Sequence, residues 1–527
     1  MSGDQSEIVA FLSDPATHGL SADAAVRRIE THAAHVFLAG PHAVKLKKAV
    51  WRPYLDYSTL NQRRVCCSRE VSLNQRTAPG VYRQATAIRR AEDGGLTLGG
   101  DRGFIIDWVV EMNRFPDDAM ADAALEENRI GAAEIYDLAA GVAAFHIAAE
   151  ASPEMGGAET MNWVAQGNLE RLYECIAAFP TERALNLLQN QLRALARLSP
   201  MMEARREAGF TRRCHGDLHL GNVALLDGAP TPFDAIEFDD RLACIDVMYD
   251  LAFLLMDLDR RGRGDLCNVA LNAYLEHCDG LSEQLEAVDM LPLLMSMRAT
   301  IRAHIEATLA LEGGVQQSRA ERLRLANGYL QRALVAMDAH EPPAIIAIGG
   351  LQGAGKSTVA AAIAPELSGP PGAIVLRADA LRKRLHGLSP TQRLPADAYT
   401  DVMSDKVFGM LVDSAVTVVR ANRPAIADAT FIDPKRRQRI EHAALDAGVP
   451  FIGLWFEAPI EALENRVESR MAASRPDASD ADVAVLRRSA ERAVGDLGQW
   501  RRIDAGGEPA TVAQAARDAI AAALRDR

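Results

Sequence analysis

Residues 344–358 read A-I-I-A-I-G-G-L-Q-G-A-G-K-S-T, an apolar run that opens into a glycine-rich loop. Gly350, Gly355, Lys356 and Ser357 fit the spacing G-x-x-x-x-G-K-[ST], with Gly353 and Thr358 completing the candidate cradle. Val359, Ala360, Ile363 and Ala364 then recur as the apolar side of a helix. Glycine lets backbone N–H groups turn toward phosphate oxygens, and the helix N-terminus adds partial positive charge. Lys356 is expected to reach the terminal phosphates and Ser357 to hold Mg2+. Strand, loop and helix in this order predict a nucleotide-dependent enzyme; ATP is the expected nucleotide, and nothing in the loop separates it from GTP.

Upstream, a long amphipathic pattern over residues 285–340 ends in Glu341-Pro342-Pro343, where proline cannot extend a helix, so a domain is expected to begin at 344 and run to 527. Apolar runs at 373–376, 425–427 and 451–456 alternate with helical stretches, which predicts a doubly wound α/β domain on a parallel sheet. Chemistry collects at the carboxyl ends of such strands. There the second run leads into R-A-D-A-L-R-K-R-L, making Asp379 a candidate base and Arg382 a candidate anion clamp. Asp428, at the end of the third, is a candidate for placing magnesium. Arg466, Arg470 and Arg475 of E-N-R-V-E-S-R-M-A-A-S-R form a candidate closing lid, with Arg470 taken as catalytic.

This segment resembles the small P-loop kinases, including the gluconate-kinase-like, polynucleotide 5′-kinase and zeta-toxin groups, often described as AAA-type ATP-binding domains. The resemblance implies phosphoryl transfer to a hydroxyl. In the polynucleotide-kinase group the aspartate of D-x-x-R is the general base and its arginine binds substrate phosphate, a pattern that falls on Asp379 and Arg382.

A second motif lies earlier. Residues 214–222 read C-H-G-D-L-H-L-G-N, followed by V-A-L-L, an Asp227-Gly228 turn and P-F-D-A-I-E-F. Asp217, Asn222, Asp234 and Glu237 supply the oxygen ligands that hard Mg2+ takes, together with a base for an acceptor hydroxyl. Zinc on His215, His219 and Asp217 is the weaker reading, because that spacing arises from the H-G-D-L-H string itself. These residues resemble the aminoglycoside phosphotransferase family, whose protein-kinase-like fold has a nucleotide lobe and a helical lobe. The resemblance makes Asp217 the catalytic aspartate and Asn222 a metal ligand. The usual I-D-[FW] ending is replaced by F-D-A-I-E-F: counting from Asn222 favours Asp234 as the second metal ligand, and aligning I-E-F favours Glu237, with Asp234 taken first. In H-V-F-L-A-G-P-H-A-V-K-L-K-K, a hairpin pattern, Lys45 is assigned to the nucleotide phosphates and Glu70 to holding it, although Lys47 shares the same face. The expected organisation is a helical extension (1–29), a nucleotide lobe (30–115), a helical lobe (116–340) and the P-loop domain (344–527).

Composition fits two α/β and α+β domains in tandem. The 527 residues carry a formal charge of −13, with 48% hydrophobic, 24% charged and 5% aromatic residues, which argues against generic nucleic-acid binding. Seven cysteines without a C-x-x-C pair read as reduced thiols, and the start M-S-G-D-Q-S-E-I-V-A lacks a secretory pattern. A cytoplasmic protein acting on small hydroxyl-bearing molecules (sugar-like, amino-alcohol or nucleoside), with no membrane partner, is expected; the oligomeric state is not fixed. The alternatives are a regulatory protein whose kinase-like domain binds ligand without catalysis beside a P-loop ATPase, and a nucleic-acid 5′-hydroxyl kinase.

Overall fold

A computed structural model describes residues 4–31, 33–52, 55–312, 318–338, 342–472 and 479–525. The chain forms two compact units. One comprises Met1–Leu138, Ala148–Met161 and Met202–Leu254; the other comprises Ala139–Ile147, Asn162–Met201 and Leu255–Arg527.

In the first unit, strands β1 (Val26–Glu30), β2 (Ala34–Ala39), β3 (His42–Lys47), β4 (Tyr82–Arg90), β5 (Leu96–Leu98) and β6 (Phe104–Asn113) make an antiparallel sheet in the order β1-β2-β3-β6-β4-β5. Alternation along the strands gives the sheet two apolar faces. Phe37, Val44, Leu46 and Val109 pack with Ile8 and Leu12 of the helix Ser6–Ser13, while Leu38, Ala43, Val110 and Met112 pack with Cys67 and Val71 of the helix Leu60–Asn74. Thr59 caps that second helix by accepting from the Gln62 amide. The expected helical extension is helical only as far as His18, because residues 26–30 pair with β2 as an edge strand. V-R-R-I-E carries two apolar residues and gives almost no sequence signal for it. Further on, β7 (Val223–Leu226) and β8 (Ala229–Pro232) form a hairpin. Its two-residue turn has Asp227 at φ 51° and Gly228 at φ 81°, the left-handed pair that a tight hairpin needs.

The second unit contains an all-parallel sheet of β9 (Ile345–Gly350), β10 (Ile374–Arg377), β11 (Ala425–Asp428), β12 (Phe451–Glu457) and β13 (Arg501–Asp504), ordered β10-β11-β9-β12-β13. Ile346 and Ile348 pack against Val359 and Ile363 of the helix Lys356–Ile363 and against Ala516 and Ile520 of the helix Pro509–Arg525. Ile345 and Ala347 on the opposite side are fully buried too, so both faces are covered. The edge strand β13 is unheralded in the sequence, since R-R-I-D has one apolar residue.

The pattern at 285–340 resolves into the helices Leu281–Ala287, Leu291–Glu312 and Arg319–Met337, the last opened by a Ser318/Glu321 capping box. Arg302 pairs with Glu306 at 3.5 Å, as its four-residue spacing suggests, and Arg322 joins them at 3.0 Å. These helices share a unit with the P-loop domain, and the helix Gly264–His277 is tied to it. Asn268 donates to the Pro371 and Ala373 carbonyls, Asn272 accepts from the Val375 amide, and Arg384 donates to the carbonyls of Leu275, Glu276 and Cys278. The border between compact units therefore runs through the expected helical lobe.

Candidate active sites

The phosphate loop follows β9 directly. Gly350 has φ 138°, and a Cβ there would lie 2.5 Å from the Phe456 carbonyl oxygen; at Gly353, with φ 81°, it would lie 2.6 Å from that of Leu463. Only glycine fits either position. Lys356 Nζ donates to the Leu351 carbonyl at 2.9 Å, closing the loop on itself, and Ser357 Oγ donates to Asp428 Oδ2 at 2.5 Å. Thr358 is exposed on the first turn of the helix. Burial pushes the Asp428 carboxyl above its ordinary value, opposed by Lys356 and Arg377. Burial likewise draws Lys356 down, with Asp428 and Asp379 opposing it and Arg470 adding to the fall. The structure thus brings Lys356, Ser357, Asp379, Asp428 and Arg470 into one electrostatic neighbourhood.

Asp379 sits in the first turn of the helix Ala378–Leu385, just past β10. Arg382, one turn on, is buried; it donates to the Ala398 carbonyl at 2.8 Å and lies 5.1 Å from the Tyr399 ring centre. The neighbouring Lys383 is fully buried, donating to the Pro390 carbonyl and pairing with Asp480 at 3.2 Å; Asp480 also accepts from the Leu394 amide. Sequence reasoning missed this latch, because K-R in a basic run reads as solvated surface. Of the lid arginines, Arg470 donates to the Ala481 carbonyl at 2.6 Å, while Arg466 is turned toward the carbonyls of Ala505, Gly506 and Gly507. Arg475 lies outside the described residues.

In the first unit, β3 aims Lys45 and Lys47 at the same glutamate. Lys45 bonds Glu70 Oε1 at 2.8 Å and Asp234 at 2.6 Å; Lys47 bonds Glu70 Oε2 at 2.5 Å and also Glu237. Tyr57 donates to Glu237 as well. The burial of these groups divides their duties. Lys47 and Glu237 are almost wholly enclosed, whereas the Asp234 side chain is 41% exposed. Burial disfavours the charged forms of Lys45 and Glu70, but their partners outweigh it, holding the lysine above and the glutamate below its ordinary value. Asp234 takes φ 62°, with its amide on the Tyr82 hydroxyl and the next amide on Asn74 Oδ1. Of the two carboxylates left open by the sequence, Asp234 is the exposed one, paired with Lys45, and Glu237 is enclosed by Lys47 and Tyr57.

Asn222 Nδ2 donates to the Asp217 carboxylate at 2.9 Å and to its carbonyl at 3.0 Å, and His219 Nε2 lies 3.5 Å from Asp217 Oδ2. His215 is buried, with one ring nitrogen 2.9 Å from the Phe233 carbonyl and the other 3.3 Å from the Asp217 amide, so both are engaged by backbone rather than free to ligate zinc. Asp250, fully buried on the helix Val247–Arg260, accepts from the His215 amide at 3.0 Å and the Gly216 amide at 2.8 Å, fixing the backbone beneath Asp217. The sequence did carry a sign of it, a lone carboxylate in the apolar stretch D-L-A-F-L-L-M. The donor set Asn222 plus Asp234, and separately Ser357 plus Asp428, is all oxygen, which fits magnesium.

Residues 112–287 match the family model of the phosphotransferase enzyme family, and residues 345–494 match that of the AAA domain. Over 493 residues the chain is 27% identical to the uncharacterized protein Rv2004c of Mycobacterium tuberculosis, covering 91% of this chain and 92% of that one. Among solved structures, a choline/ethanolamine kinase family protein from Mesorhizobium loti aligns with 13% identity and a TM-score of 0.36, covering 63% of this chain and 98% of that chain. A sugar kinase from Janibacter sp. aligns with 17% identity and a TM-score of 0.27, covering 34% of this chain and 95% of that chain. The chain carries an N-terminal phosphotransferase-type, kinase-like domain followed by a P-loop kinase fold. No helix among the described residues is long and apolar enough to cross a membrane.

Proposed function

We propose that the chain is a tandem ATP-dependent phosphotransferase in which each domain transfers a phosphoryl group to a hydroxyl of a small molecule. The observation that carries this reading is the Asp217 arrangement: a carboxylate 39% exposed, oriented by Asn222, on a backbone pinned by the buried Asp250. A ligand-binding domain without catalysis has no need to hold an open carboxylate in this way. Asp217 accepts the proton of the acceptor hydroxyl as the oxygen attacks. Lys45, held by Glu70, places a fixed positive charge for the nucleotide phosphates. Magnesium, held by Asn222 and Asp234 in the first site and by Ser357 and Asp428 in the second, neutralises phosphate charge when bound.

In the second domain Asp379 takes the acceptor proton, Lys356 faces the terminal phosphates, and Arg470 offsets charge that develops during transfer. Arg382 is fixed for an anionic or polar group of the acceptor. The test is a panel of sugars, amino alcohols and nucleosides offered to the full chain with labelled ATP and magnesium. Wild type is expected to label at least one acceptor through each domain, one activity abolished by Asp217→Asn and the other by Asp379→Asn. Transfer that survives the double variant would overturn the assignment.

A further inference from the structure

The helix Leu60–Asn74 turns Glu70 and Asn74, one turn apart on the same face, into the interior, where both are wholly buried. Glu70 holds Lys45, and Lys45 in turn bonds the Asp234 carboxylate at 2.6 Å. Asn74 reaches the same stretch of chain through its backbone. Its Oδ1 accepts from the Ala235 amide at 2.9 Å and its Nδ2 donates to the Glu70 carbonyl at 2.8 Å, so both ends of the carboxamide are committed.

Residues 233–236 lead out of the hairpin of β7 and β8, and every amide among them has a partner. Phe233 donates to the Asn222 carbonyl at 2.9 Å and Ile236 to the His215 carbonyl at 2.9 Å, backbone ties to the loop that carries Asp217 and Asn222. Between them the pattern changes. Asp234 has φ 62°, a left-handed conformation that an L side chain adopts at a cost, and its amide and the next one are met by side chains instead. The Tyr82 hydroxyl accepts from Asp234 at 3.1 Å, and Asn74 accepts from Ala235. Tyr82, on β4, is 2% exposed, and a buried amide that loses its partner is costly.

We propose that Asn74 and Tyr82 are positioning residues of the first domain's magnesium centre. By taking the amides of Asp234 and Ala235 they hold Asp234 in its left-handed conformation, and so keep its carboxylate beside Lys45 and open to the ion. Their role rests on the reading of Asn222 and Asp234 as magnesium donors, and it is exerted through the Asp234 backbone rather than by contact with the ion. Without these bonds Asp234 can relax to an ordinary negative φ, which redirects its side chain. Lys45 and Glu70 keep their own pairing, so the loss falls on magnesium and spares the charge that meets the nucleotide phosphates.

The test is calorimetric titration of the full chain with AMP-PNP, once under saturating magnesium and once in EDTA. It is run in a Lys356→Ala/Asp428→Asn background, which removes the phosphate lysine and a proposed magnesium donor of the P-loop site. Asn74→Ala and Tyr82→Phe are each expected to weaken binding under magnesium by about tenfold, with binding in EDTA nearly unchanged. Tyr82→Phe keeps the ring in the core and decides the matter should Asn74→Ala fail to fold. Asp234→Asn, measured beside them, separates the two levels of the reading. If it leaves the magnesium dependence intact, Asp234 is no metal ligand and the positioning role falls with it. If Asp234→Asn loses that dependence while the folded Asn74→Ala and Tyr82→Phe variants keep it, the magnesium reading stands and the positioning role is overturned. Equal weakening with and without magnesium also overturns the role, leaving Asn74 and Tyr82 as packing residues of the nucleotide lobe.

Discussion

Ser357 donates a 2.5 Å hydrogen bond to Asp428, joining the first turn of the phosphate-loop helix to the end of the adjacent strand β11. On the proposed function, the hydroxyl and the carboxylate are the two oxygen donors that would hold magnesium here. Asp428→Asn keeps the shape and loses the charge, so magnesium-dependent ATP binding by this domain should weaken by roughly ten- to a hundredfold. Titration with and without magnesium checks it in an Asn222→Ala/Asp234→Asn background, which removes the proposed magnesium donors of the first domain. An unchanged magnesium dependence would remove Asp428 from the metal site.

Lys45 and Lys47 share Glu70 but should respond differently to substitution. Lys45→Met removes the charge beside the exposed Asp234 and should lower turnover by the first domain roughly a hundredfold while the fold persists. Lys47→Met strips the enclosed Glu237 of its cation, and losing one partner of a buried pair costs roughly 3–5 kcal/mol. Thermal unfolding and turnover measured on both variants separate the roles. Equal destabilisation by the two changes would contradict the division.

The parts legible in the sequence were those written in local spacing. The loop from Gly350 to Ser357 is one continuous string whose glycines are fixed by contacts with the next strand and helix, so its order and chemistry could be read directly. Asp217 and Asn222 are likewise five residues apart on one turn. Between Asp234 and Glu237 the sequence put Asp234 first by counting from Asn222, but the different surroundings of the two were not legible: they depend on a positive φ at Asp234 and on Lys47 and Tyr57 closing around Glu237, contacts that span roughly 180 residues or more. The same holds for Asp250 beneath Gly216 and for Lys383 against Asp480, where a charged residue in a helix pattern gives no hint of its distant partner. Domain borders were blurred for a related reason. Asn268 and Asn272 tie a helix of the first domain's expected lobe to β10, so cutting the chain near 340 would strand those amides, and assays belong on the full chain.

Glu70 sets an acid-side signature. Its carboxyl lies below the ordinary 4.5 because Lys45 and Lys47 outweigh its burial, so its contribution to stability is complete above that value and is lost as pH falls toward the folded-state pKa. Glu70→Gln should therefore be much less stable than wild type near neutrality, with the gap narrowing on acidification below about pH 4.5. Denaturant unfolding across that range measures it. A gap independent of pH would mean that the glutamate is not the charge holding the two lysines.

Asp379 and Arg382 lie three residues apart on one helix but meet different surroundings, and kinetics should separate them. Asp379 lies close enough to Lys356 and Asp428 to act electrostatically on both, yet it belongs to the helix Ala378–Leu385 and not to the glycine-rich loop. Asp379→Asn should lower turnover of the second domain by roughly 10²- to 10⁴-fold with nucleotide affinity preserved. Arg382 is held by the Ala398 carbonyl and stacked over Tyr399, a rigid presentation suited to binding rather than proton transfer. Arg382→Gln should therefore raise the acceptor KM more than it lowers kcat, with nucleotide binding intact. Both variants are read in the full chain carrying Asp217→Asn, so that only the P-loop domain turns over, and nucleotide affinity is read as the KM for ATP of that turnover, or by titration with Asn222→Ala/Asp234→Asn added. If Asp379→Asn removes nucleotide binding along with transfer, the aspartate belongs to the nucleotide site; if Arg382→Gln lowers kcat alone, the arginine acts on the transferring phosphate instead of the acceptor.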